Sequence, residues 1–189
     1  TNVADTADGN NPIAAGYKVM HGEEDVTANY VITPVAGTLT INPKAVTVTA
    51  QDKAFTYNGT AQSWAEYDVD GLVGDDAIEA VVTGSITFPS ESPVTNELTS
   101  YEFTTGTPEN YTVETADGEL TMVNAEAVIT ITAASDEQTY NGSALTNSEV
   151  TVTSGTLFNG DELVATATGS ATNVADTADG NNPIAAGYK

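Results

Sequence analysis

The first eighteen residues, TNVADTADGNNPIAAGYK at 1–18, recur without one change at 172–189. The copies are offset by 171 residues, and eighteen identical positions do not arise from chance or shared fold preference. The chain therefore reads as a window slightly wider than one period of a tandem array, an internal piece of something longer. That constrains the fold more than any single side chain does. A repeat unit is a small supersecondary element that packs on its neighbours, and arrays of such units serve length, valency or spacing more readily than chemistry.

A weaker repeat lies inside the period. Ala45-Val46-Thr47-Val48-Thr49-Ala50 is echoed by Ala127-Val128-Ile129-Thr130-Ile131-Thr132-Ala133, and Tyr57-Asn58-Gly59-Thr60 returns as Tyr140-Asn141-Gly142-Ser143. Gly74-Asp75 followed by Thr83-Gly84-Ser85 matches Gly160-Asp161 followed by Thr168-Gly169-Ser170. Asn110-Tyr111 with Gly118-Glu119-Leu120-Thr121 matches Asn29-Tyr30 with Gly37-Thr38-Leu39-Thr40. The landmark order is the same in both half-periods, so one period holds two diverged modules. The first spans 45–124, which is 80 residues; the second is divided into a front half at 125–171 and a back half at 1–44, together 91 residues. On this division, 1–44 is the C-terminal part of a second-type module and 125–189 is the N-terminal part of another. A permuted division is the alternative, because a repeat alone does not set its own phase.

The local signal is almost wholly β. Val46/Val48, Val128/Ile129/Ile131, Leu39/Ile41 and Leu120/Met122 alternate with Thr at period two, and Thr, Val, Ile and Tyr suit a pleated, half-buried surface. Turn signals at Asp8-Gly9, Asn58-Gly59, Asp117-Gly118 and Asn141-Gly142 cut the strands short. A single short helix over Ser63–Tyr67 is the one alternative to an all-β reading, and Pro43 suits an edge or a linker, where no ladder donor is needed. The expected fold class is all-β: small β-rich modules, sandwich-like or β-grasp-like, in a tandem head-to-tail stalk.

Charge narrows the partners. Against 27 Asp and Glu stand 4 Lys and no Arg, a net charge of −23. Such a field repels nucleic acid and anionic lipid, which leaves no nucleic-acid partner and no membrane contact by this segment. A hydrophobic fraction of 40% is enough to build cores. The absence of cysteine excludes disulfides and thiol chemistry and leaves secretion open. No apolar run is long enough to span a bilayer, and no signal peptide or initiator Met is present.

The string Gly37-Thr38-Leu39-Thr40-Ile41-Asn42-Pro43, then Val46-Thr47-Val48-Thr49-Ala50, then Tyr57-Asn58-Gly59-Thr60 resembles the tandem MBG/YDG-type repeats of large bacterial surface proteins. Asn110-Tyr111 and Asn29-Tyr30 fill the Asn-Tyr step that precedes the last strand in that family. The resemblance implies an extracellular location on a bacterial cell surface and an adhesin-like stalk. The second module departs from the first in carrying Asp136-Glu137-Gln138 where the first has Asp52-Lys53.

Candidate chemistry is thin. The Tyr-Asn-Gly steps read as tight turns with a packed Tyr ring, with ligand contact as the alternative. They and Asn110-Tyr111-Thr112 also match glycosylation sequons, incidental in a bacterial protein. The acidic loops offer calcium ligands: Asp5, Asp8, Asn10 and Asn11, repeated as Asp176, Asp179, Asn181 and Asn182, with smaller pairs at Asp75-Asp76 and Asp161-Glu162. EF-hand spacing and its closing Glu are missing, and a solvated turn with Asx-type hydrogen bonds is the competing reading. Metal candidates are therefore Asp5, Asp8, Asn10, Asp176, Asp179 and Asn181, with calcium the one cofactor considered. Lys53 in the first module and Lys44 at its edge are the lysines there that an isopeptide bond could use, and solvent exposure explains them better. Trp64 reads as core packing, with carbohydrate stacking as the alternative. His21 is the lone histidine, and no nucleophile, base and oxyanion donor assemble, so no catalytic residue is assigned and the chain is read as a non-enzyme.

The expected function is an acidic stalk or spacer segment of a surface adhesin or fibre, its partners the neighbouring repeat modules. The alternative is multivalent low-affinity binding of a host glycan or protein. Head-to-tail self-association, with one molecule's tail completing the divided module with another's head, is a further expectation from the cut.

Overall fold

In a computed structural model that describes residues 1–187, the chain is all-β. Its strands are β1 (Met20–His21), β2 (Glu24–Asp25), β3 (Lys44–Ala50), β4 (Lys53–Thr56), β5 (Tyr67–Asp70), β6 (Ala77–Thr83), β7 (Val94–Thr105), β8 (Tyr111–Ala116), β9 (Gly118–Val123), β10 (Thr130–Ala133) and β11 (Val150–Ser154). The only helical elements among the described residues are short 3-10 turns, such as Pro89–Glu91 and Pro108–Asn110. Four sheets result: β1-β2, β10-β11, β5-β3-β8 and β4-β9-β7-β6. No helix forms over Ser63–Tyr67; Tyr67 instead opens β5, because Tyr67 and Val69 alternate inward at strand period.

Backbone packing divides the chain into two compact units. The first comprises Thr1–Lys53, Ser63–Gly84 and Thr95–Leu120; the second comprises Ala54–Gln62, Ser85–Val94 and the chain from Thr121 on.

In the first unit β3 is the central strand. It pairs antiparallel with β5 (Thr47↔Asp70 to Ala50↔Tyr67) and parallel with β8 (Lys44↔Tyr111 to Thr49↔Ala116). The Val-Thr alternation sends Val46, Val48 and Ala50 inward and leaves Lys44 and Thr47 exposed. Val46 and Val48 meet Ile78 of β6, with Leu98 and Phe103 of β7 and Tyr111 and Val113 of β8 packed around them. Two sheets thus face each other across an apolar layer, the sandwich-like form. Val46, Val48 and Ile78, the buried members, each contribute roughly 1.5–3 kcal/mol of transfer free energy. β6 and β7 pair antiparallel with register shifts at Ala77/Ile78 and Val81/Val82, which bend the long β7.

β8 and β9 are joined by Asp117 alone yet lie in different sheets. Asp117-Gly118 is therefore a corner, not the hairpin turn its sequence suggests. Gly118 lacks the positive φ of a turn; its Cβ position is filled by Ala50 O and Gln51 O at 2.6 Å. Close backbone approach, and not backbone dihedral, explains the glycine.

The second unit has fewer ladders. β10 and β11 pair antiparallel with a bulge at Thr130/Ile131, and single bridges join Gln62↔Ile86, Leu145↔Ala171 and Ala167↔Ile184. Ile86, Met122 and Ala167 are its buried apolar residues.

Candidate functional site

The second unit builds one side-chain cluster out of residues from both module sequences. Tyr57 follows β4, and its backbone N–H donates to Val123 O at 3.0 Å. Asn58 Oδ1 then accepts the Thr60 N–H (2.9 Å) and hydroxyl (2.8 Å), and Gly59 takes φ +77°, closing the turn as an Asx turn. A Cβ on Gly59 would stand 2.7 Å from Phe158 Cβ and 2.8 Å from Asn159 O, so the glycine also lets the 158–161 loop close on the turn. The Tyr57 ring stacks on Phe88 (centroids 6.2 Å) and meets Phe158 edge-on (5.4 Å), an arrangement aromatic quadrupoles favour. Its hydroxyl donates to Asp161 Oδ1 at 2.5 Å. That hydrogen bond to a carboxylate, with some burial, holds the Tyr57 pKa above its usual 10.0.

The first unit repeats the chemistry on its own residues. Tyr111 donates to Asp76 Oδ2 at 2.5 Å, accepts the Val73 N–H at 3.2 Å and stacks on Phe103 at 5.5 Å. The Asp76 hydrogen bond likewise raises the Tyr111 pKa. Both tyrosines stay neutral near pH 7 and act as struts, since a phenol held above its ordinary pKa is a poor proton donor or nucleophile there. Tyr140, in the second Tyr-Asn-Gly, is exposed; its turn has the same form, with Gly142 at φ +78° and Asn141 Oδ1 accepting the Ser143 N–H at 2.9 Å.

The two eighteen-residue copies adopt one local conformation. Val3–Asp5 and Val174–Asp176 are matching 3-10 turns, each followed by a glycine at φ +73° (Gly9 and Gly180). Asp176 accepts the backbone N–H groups of Asn173 (2.7 Å) and Thr172 (2.9 Å), which lower its pKa. Asp5 accepts the Asn2 N–H (2.7 Å) in the same way. Asn10 Nδ2 donates to Asp5 O and Asn181 Nδ2 to Asp176 O, both at 3.0 Å. Asp8 and Asp179 are exposed in the same turns. The oxygens considered for calcium at Asp5, Asn10 and Asp176 are thus drawn into hydrogen bonds, and among the described residues no three His, Asp or Glu side chains converge on a metal-sized space.

The remaining candidates stand apart from each other. Trp64 is half-buried; its Nε1 donates to Gln51 Oε1 at 3.3 Å, and Lys53 Nζ lies 3.9 Å from its ring centroid. The lysine thus lays its ammonium over one face of the indole. Lys44 is exposed, Lys18 pairs with Asp25 at 3.2 Å, and His21 is exposed in β1. Phe88 and Phe158 are members of the tyrosine cluster that the sequence reading did not single out. The available signal was an aromatic side chain inside turn-rich stretches, Phe88 before Pro89 and Phe158 before Asn159-Gly160.

Fold and site together define a β-sandwich-like module with structural tyrosines. Residues 46–121 match the family model of the MBG domain, YGX type. No curated protein and no solved structure matches the chain. The match lies within 45–124 and agrees with the MBG-type motifs, a structural repeat family of surface-associated bacterial proteins.

Proposed function

We propose that this segment is a spacer: alternating first-type and second-type modules in series, forming an acidic stalk on a bacterial cell surface. The observation that carries the reading is the tyrosine cluster, in which Tyr57 of one module sequence seats on Phe158 and Asp161 of the other. A stalk needs such joints, because successive modules tied only by flexible chain would not hold an extended axis. Tyr140 has the same Tyr-Asn-Gly context, and Val73 and Asp75, at the positions matching Phe158 and Asp161, are exposed. A second joint of the tyrosine–carboxylate kind, with Val73 in place of the aromatic ring, is therefore available to the following first-type module. The net charge of −23 supports the role by keeping neighbouring stalks apart. No catalytic step is assigned to it.

Small-angle scattering on chains of one, two and three 171-residue periods tests the reading. The maximum dimension should grow linearly, by about 60 Å per period for two modules of roughly 30 Å each. Growth close to the cube root of chain length would overturn it.

A further inference from the structure

Ser92 and Asn96 of the first-type module belong to one segment with two tasks. Ser92 Oγ accepts the Met122 N–H at 3.1 Å, and Asn96 Nδ2 donates to Gln51 O at 2.9 Å. The eighteen-residue segment occupies the same place in the second-type sequence, and its two copies divide these tasks between them. In the first copy Thr6 Oγ1 accepts the Ile41 N–H at 2.9 Å, as Ser92 does that of Met122. Asn10 there clamps Leu39 through Nδ2 (2.8 Å) and Oδ1 (2.6 Å), and the Asn11 and Gly37 backbones exchange hydrogen bonds at 3.0 and 3.1 Å. In the second copy Asn182 Nδ2 donates to Ala134 O (3.0 Å) and Asn147 O (2.9 Å), matching Asn96, while its Oδ1 accepts the Gly169 N–H at 2.8 Å. The atoms do not compete: Asn11 uses its backbone, its counterpart Asn182 its side chain. One copy of the segment is able to hold both partners at once.

The apolar surfaces divide the same way. Ile129, Ile131, Leu157 and Leu163 line an open cavity of about 670 Å³ in the second unit. Their counterparts Val46, Val48, Leu72 and Ile78 belong to the closed core of the first module. That core is closed by β8, parallel to β3, after which β9 buries Leu120 (0% exposed) and Met122 (4%). The matching residues of the second-type sequence are 30–35 and 37–41, aligned without a gap, and there Leu39 is 59% and Ile41 39% exposed. On the other side, β10 pairs with β11 alone among the described strands, so the edge that β3 gives to β8 is free.

We infer that the groove beside β10 is a docking site for residues 30–41 of a second copy of this sequence. Residues 30–35 add as a parallel strand on β10, where Pro34 suits the outer position of an edge strand. Ile32 fills the cavity at the position of Val113, and Tyr30 donates to Glu162 as Tyr111 does to Asp76. Residues 37–41 lie along the second segment copy, with Thr177 and Asn181 holding Ile41 and Leu39 as Thr6 and Asn10 do. The site rests on the two-module reading of the period and not on the spacer role, which scattering tests separately.

The test uses the 189-residue chain at low micromolar concentration and a fluorescent peptide of residues 27–44, read by anisotropy. Saturable one-to-one binding is expected. A peptide carrying Ile32→Asp and Leu39→Asp should bind weaker by on the order of tenfold or more, because it would bury carboxylates in an apolar groove. The chain extended past Lys189 by a further copy of residues 19–44 should not bind the peptide, its groove being filled from within. No binding by the 189-residue chain, equal binding of the Asp peptide, or equal binding by the extended chain would each overturn the inference.

Discussion

Gly118→Ala isolates one physical cause. The added Cβ would stand 2.6 Å from both Ala50 O and Gln51 O and 2.8 Å from Gln51 C. All three are backbone atoms where β3 gives way to β4, so no rotamer change relieves them, and the chains must part by about 0.8 Å to reach ordinary contact. Overpacking of that kind costs about 1–3 kcal/mol, while loss of glycine's freedom in the unfolded chain returns about 0.4–1 kcal/mol. The net destabilisation is about 1–2 kcal/mol, or roughly 5–15 °C in Tm for a module of this size. Gly37, the matching glycine of the second-type sequence, has its nearest neighbour, Asn11 Nδ2, at 3.7 Å, so Gly37→Ala should change stability by less than about 0.5 kcal/mol. Calorimetry and urea titration of both variants supply the comparison. A Gly118→Ala chain that melts with the parent, or a Gly37→Ala chain that loses as much, would refute the close-approach argument.

Leu120→Ala should cost about 2–5 kcal/mol by urea denaturation, since the side chain is fully buried, whereas Leu39→Ala, at an exposed site, should cost less than about 1 kcal/mol. Alkaline melts should show the tyrosine struts. The folded pKa of Tyr111 lies above the unfolded value of about 10, so its contribution is present below pH 10 and is lost as pH rises through the folded pKa. Tyr111→Phe should therefore start less stable at neutral pH and lose less on titration above about pH 10. Calcium and EDTA should leave Tm unchanged, because Asp5, Asn10 and Asp176 already spend their oxygens on local hydrogen bonds; a calcium-dependent rise in Tm would show that the turns open to bind it.

The strand content was legible from local pattern. Val46 and Val48 alternate with Thr because one face of β3 is buried and the other is not, and the same alternation in Leu120 and Met122 marks β9. The Asn-Gly turns were equally local: Asn58 and Asn141 bond to residues two positions on, and Gly59 and Gly142 supply positive φ. Asp117-Gly118 carries an equally common turn signal and meant something else. Its role depends on Ala50 and Gln51, nearly seventy residues away, and no window around Asp117 contains them. Tyr57 is similar. Its turn was readable, but its partners Phe88, Phe158 and Asp161 come from distant segments.

The eighteen-residue repeat marks the limit most clearly. Sequence alone showed that its two copies are identical, and its recurring landmarks point to two related modules in one period. Identical residues then produced identical local structure: the same 3-10 turn, the same carboxylate accepting its own backbone amides, the same glycine at φ +73°. Their long-range partners differ, Gly37, Leu39 and Ile41 for one copy and Ala134, Asn147 and Gly169 for the other. Only tertiary structure decided that division. Turns are set by bonds a few residues long, whereas docking depends on which complementary edge lies within reach in three dimensions.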